Sequence, residues 1–137
     1  MLRTCQRIIA LAAMLVSPST MSAQPADAKL TLACQGTETD KGGASSYSQQ
    51  INIGIIVDFQ KKAVLGLSHD SEPVPITNIS ETTISFAAKN TGWVMNGTLD
   101  RVTGALIAAS IKFDPNTRKT ILSVSFDLQC RPTQRMF

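Results

Sequence analysis

ILSVSFDLQC, residues 121–130, places Leu122, Val124, Phe126, Leu128 and Cys130 on every second position, with Ser123, Ser125, Asp127 and Gln129 between them. A side-chain period of two is that of a β-strand with one dry face and one wet face. Leu30, Leu32 and Cys34 repeat the alternation near the other end of the chain, so both cysteines are in phase with an apolar face. A bond between Cys34 and Cys130 would fasten the first strand to the last and close a meandering sheet on itself.

Ahead of Leu30 the chain reads as a secretory leader. Arg3 and Arg7 make a positive start, an apolar run covers Ile8 to Val16, and small polar residues follow. That run falls short of the roughly 20 residues needed to cross a bilayer. Cleavage after Ala23 suits the distance from the apolar run. Ala28, with Ala26 before it, offers a better small-x-small pattern but lies farther away. The domain division is therefore a signal peptide over 1–23 and a single domain over 24–137, which implies a periplasmic or secreted protein with no membrane span in the mature chain.

Export changes the charge and the cysteine arithmetic. Two of the 13 basic residues leave with the leader, so 11 face 10 acidic ones, a balance that leaves no nucleic-acid footprint. Cys5 leaves too. The remaining pair sits in an oxidising compartment and allows one bridge; two free thiols or a two-ligand metal site are the alternatives. A bridge closing so long a loop contributes at most about 4–5 kcal/mol through loss of unfolded-state entropy.

Along the chain, a first strand from Leu30 to Cys34 is followed by Gln35 to Ser46, rich in Gly, Ser and Thr, which reads as a loop with Gly42 and Gly43 at its tip. Tyr47 to Phe59 is a long alternating strand in which Gly54 suggests a bend or bulge. Shorter strands follow around Ala63 to Leu67, Ile76 to Ile79 and Thr83 to Ala88. Trp93, Met95, Gly97 and Leu99 share a face of the next. Asp100-Arg101-Val102-Thr103-Gly104 is a hairpin signal, since aspartate accepts from nearby amides and glycine takes a positive φ. Ala105, Ile107, Ala109, Ile111 and Phe113 then set the phase of a strand, and Asp114 opens the last turn. Eight strands with short connections predict an all-β fold, an eight-stranded antiparallel up-and-down barrel, with a two-sheet sandwich as runner-up.

Chemistry is harder to find. His69, with Asp70 and Glu72, is the one place for a general base or a metal ligand, and no second histidine exists to join it. Asp58, Asp100 and Asp114 sit where turn chemistry explains them, which argues against a carboxylate pair for hydrolysis. No Gly-x-Ser-x-Gly elbow and no phosphate-binding glycine loop occurs. Trp93 is the sole tryptophan and Tyr47 the sole tyrosine, and Trp93 shares the phase of Met95 and Leu99, as a core residue would. A small barrel is either filled by side chains or holds one small ligand, and the inward set here, mostly Ile, Val, Leu and Phe, predicts a filled interior with local room only at Gly97 and Ala109. The reading is of a protein without cofactor or catalytic site, no enzyme.

The leader, Leu32-Ala33-Cys34-Gln35-Gly36, Ile55-Ile56-Val57-Asp58-Phe59, the Asp100 to Gly104 hairpin, and the ending from Cys130-Arg131-Pro132 to Phe137 together resemble a group of small exported proteins of alpha-proteobacteria. That group carries no activity to transfer. In outline the chain is also similar to the periplasmic lysozyme inhibitors, small disulfide-linked eight-stranded barrels, but the Ser-Gly-x-x-Tyr type loop of that family is missing. The expectation is a non-enzymatic exported module that binds a protein or envelope component through its loops, Gln35 to Ser46 above all. A carrier of a small apolar ligand and an inhibitor of a cell-wall or proteolytic enzyme are the alternatives.

Overall fold

The structure is a computed structural model and describes residues 29–68 and 72–133; the leader with both cleavage sites, and His69 and Asp70, lie outside the described residues. Eight strands follow one another: β1 (Lys29–Gly42), β2 (Ser45–Asp58), β3 (Ala63–Leu65), β4 (Val74–Ile79), β5 (Thr83–Lys89), β6 (Trp93–Asp100), β7 (Ala105–Phe113) and β8 (Thr120–Pro132). Each pairs antiparallel with its neighbours in sequence, and β8 pairs back onto β1, so the sheet is a closed up-and-down barrel. Closure leaves no edge at the β1–β8 joint.

Cys34 and Cys130 are register partners across that joint, with their sulfurs bonded and their Cα atoms 4.0 Å apart. The bridge spans 96 residues and lies inside the wall, both cysteines being buried. Leu32, Val124, Phe126 and Leu128 join it in the core, which continues through Ile55, Val57, Val64, Val74, Ile84, Phe86, Met95, Leu99 and Leu106. Outward positions are largely polar, as at Thr37, Asn52, Thr98, Ser125 and Asp127. This places the apolar face inside, the reverse of the pattern on a membrane barrel. Among the described residues no helix is long and apolar enough to cross a membrane.

Three expectations are corrected. Residues 35–46 are not a loop: β1 runs on to Gly42 and β2 begins at Ser45, an unbroken hairpin from Lys29↔Asp58 to Gly42↔Ser45. Polar composition hides strand here because one side of β1, as far as Lys41, is held by β8. Next, β7 turns its other face inward, with Leu106 and Ala108 buried while Ile107 is 65 % exposed. Ala108 faces Gly97 across the β6–β7 ladder, and the room that Gly97 leaves is taken by the ring of Phe86, into which a methyl group there would run. Last, Gly54 lies in an even register. The irregularities fall between Ile76 and Asn78 of β4 and between Lys112 and Phe113 of β7.

The hairpin aspartates do what their positions suggest. Asp100 Oδ1 accepts from the amides of Val102 (2.8 Å) and Thr103 (2.9 Å), and Asp114 Oδ1 accepts from Asn116 and Thr117 (2.8 Å each). Asp58 Oδ1 accepts from the Lys61 amide (2.9 Å), and its Oδ2 lies 3.6 Å from Lys29 Nζ. Four residues beyond each aspartate the backbone takes a positive φ, at Lys62 (50°), Gly104 (78°) and Arg118 (59°). One turn design thus serves three hairpins, and only one uses the residue suited to it.

Candidate functional site

The barrel's two ends differ. At one end lie the β2–β3, β4–β5 and β6–β7 turns; at the other lie the β1–β2 tip, residues 66–68 with 72 and 73, and the β5–β6 and β7–β8 turns. Into this second end opens a cavity of about 190 Å³. β6 supplies Trp93 and Met95 to its lining, β7 Ser110 and Lys112, β8 Leu122, Val124 and Phe126, and the segment after β3 supplies Leu67 and Ser68. Most of that wall is apolar, with two hydroxyls and one ammonium at its edge.

Local sequence explains why Trp93 stands at the mouth. Asn90 Oδ1 accepts from the amides of Gly92 and Trp93 (2.9 Å each), and the Asn90 amide donates to the Trp93 carbonyl (2.9 Å). This side-chain turn starts β6 at Trp93 and fixes its phase. Trp93 is therefore half-buried: one part packs against the core, the other lines the cavity. The expectation of a core tryptophan holds only in part.

Two carboxylates in the same end were not singled out from sequence. Glu38 is 7 % exposed, and Asp40 follows it on the inward phase of β1. Their partners on β8 are Phe126 and Val124, both in the cavity wall. Asp40 Oδ1 is buried without a hydrogen-bond partner. The signal was available: Glu38 and Asp40 continue the even-numbered phase of Leu30, Leu32 and Cys34. The Gly, Ser and Thr content of 35–46 masks that phase.

Asp58, Asp100 and Asp114 are set apart from this end chemically, as turn anchors. The amide of Lys61 holds the Asp58 carboxyl below its ordinary pKa, against a desolvation that raises it and with help from Lys29. Thr103 and then Val102 do the same for Asp100, and Thr117 and then Asn116 for Asp114. A carboxylate held ionised by amides is a structural acceptor, poorly suited to donate a proton. Glu72 is exposed, and its backbone carbonyl accepts from Ser68 Oγ (3.1 Å). Among the described residues no three His, Cys, Asp or Glu side chains gather as metal ligands would.

No protein-family model, curated protein or solved structure matches this chain.

Proposed function

We propose that this protein is a non-enzymatic binding module of the periplasm or of the secreted fraction, and that it takes one small, largely apolar ligand into the mouth of its barrel. The observation that carries the reading is the apolar cavity with Trp93 at its entrance. The expectation that residues 35–46 bind a partner as a loop loses its basis, because they form paired strand, and the carrier reading, the alternative from sequence, takes its place. Size limits the ligand. A dry cavity of about 150 Å³ admits benzene, whereas drug-sized ligands occupy about 300–1,000 Å³. A volume near 190 Å³ therefore suits a single ring or a short branched chain.

The carboxylates support binding over catalysis, since three of them are committed to turns. The location is inferred from the leader and the buried disulfide together. Native mass spectrometry of protein purified from its own compartment, followed by titration with indole- or toluene-sized probes read by Trp93 fluorescence, tests the proposal. A retained small mass, or saturable binding that Ser110→Phe abolishes while the fold persists, supports it. A bare mass together with no saturable response to any single-ring probe overturns it.

A further inference from the structure

The β1–β2 hairpin is covered on one side only. β8 pairs with β1 up to Lys41, but β3 pairs with β2 at Ile56, Val57 and Asp58 alone. Along residues 45–53, the side of β2 facing away from β1 has no strand partner among the described residues, and Ser45 to Gln50 are all exposed, Tyr47 at 62 %. An open row of backbone donors and acceptors is a template for another strand. Proteins normally blunt such an edge with charges, prolines or bulges. Here no residue from Gly42 to Val57 is charged or a proline, and the β1–β2 register is continuous.

We infer that this edge pairs with the same edge of a second copy of the chain, antiparallel about a two-fold axis near Gln49. About a two-fold axis near Gln49, Gln49 lies opposite its own mate, Ser48 opposite Gln50 and Tyr47 opposite Ile51 of the second copy, so like charges at these positions would repel. The uncharged run Ser45-Ser46-Tyr47-Ser48-Gln49-Gln50 meets no such penalty, and its hydroxyls and amides can hydrogen-bond to one another across the pair. An extended segment of a different protein is the competing occupant. The edge offers no charge pattern with which to select one. Edge pairing alone buries less than the roughly 1,200–2,000 Å² of a stable complex, so the association is weak and concentration-dependent.

Sedimentation velocity of the full mature chain decides this, with a Ser48→Lys, Gln50→Lys double variant and a Thr98→Lys control on a strand paired on both sides. The expected result is a sedimentation coefficient rising from monomer toward dimer between about 20 µM and 1 mM. It should stay at monomer in the double variant and rise normally in the control, with all three proteins equally folded by circular dichroism. Amide exchange over residues 45–53 should slow as concentration rises. A monomer at every concentration overturns the inference. So does a dimer that the double variant leaves intact, or an edge that captures a foreign extended peptide without self-association.

Discussion

The two ends of the barrel are built from the same strands yet obey different rules. At the end carrying Asp58 and Asp100, interior positions hold Val57, Val64, Ile84, Leu99 and Leu106, buried and apolar, and these two carboxylates are held by amides, Asp58 with Lys29 beside it. At the other end Glu38 is buried among the inward set, Asp40 Oδ1 lacks a partner, and a cavity replaces side chains. Burying polar groups without partners costs stability, and so does unfilled volume. Local departures of this kind concentrate where a protein does something other than stay folded. One end therefore supplies stability that offsets the cost of the open one, where the proposed ligand would sit.

The largest expected effect is on the filled side. Phe86→Ala removes a ring that is 1 % exposed and fills the space over Gly97, and should cost about 3–5 kcal/mol, measured by urea unfolding. Trp93→Ala at the mouth should cost markedly less stability but abolish ligand uptake. Equal losses from the two changes would erase the contrast between the ends. Next comes the bridge: reduction, or a Cys34→Ala, Cys130→Ala pair, should lower stability by about 2–4 kcal/mol, seen as a fall in Tm with dithiothreitol.

Glu38→Leu should move stability the other way, by about 1 kcal/mol, because it replaces a buried carboxylate with a side chain that suits its neighbours. A loss of stability instead would mean that the carboxylate has a partner and that the open end is not the costly one. The turn aspartates sharpen the comparison through pH. Their folded pKa values lie below the ordinary one, so the stability they contribute is present in full above about pH 4 and is lost as pH falls through the lowered values. Asp100→Ala should therefore lower Tm near neutrality and merge with the wild-type curve in acid. The smallest change is Lys62→Gly, which relieves a positive φ and should gain about 0.5 kcal/mol once the added freedom of the unfolded chain is subtracted.

Much of the filled end was legible because its pattern is strict. The β8 alternation, the phase of both cysteines and the turns at Asp58 and Asp100 each rest on a local rule that the fold does not override, as does the Asp114 turn at the other end. The mouth was not legible for two physical reasons. In Ala105-Leu106-Ile107-Ala108-Ala109, the filled-end half of β7, both phases are apolar, so periodicity cannot choose the face that continues to Ser110 and Lys112 at the mouth; small Ala108 opposite Gly97 decides it. In Gln35 to Ser46 propensity argues for a loop, and only the long-range pairing of β1 with β8 makes strand of it. A void has no residue to announce it. It arises where Trp93, Met95 and Val124 fail to meet, which is a matter of distances between strands far apart in sequence.

The ladders β2–β3 and β3–β4 hold three and two register pairs, while the covalent joint lies on the far side of β2, between β1 and β8. A hoop riveted at one stave and lightly nailed at the next gives way at the nails. Opening of this wall, read by amide exchange, is accordingly expected to begin at Ala63–Leu65, without the rivet being disturbed.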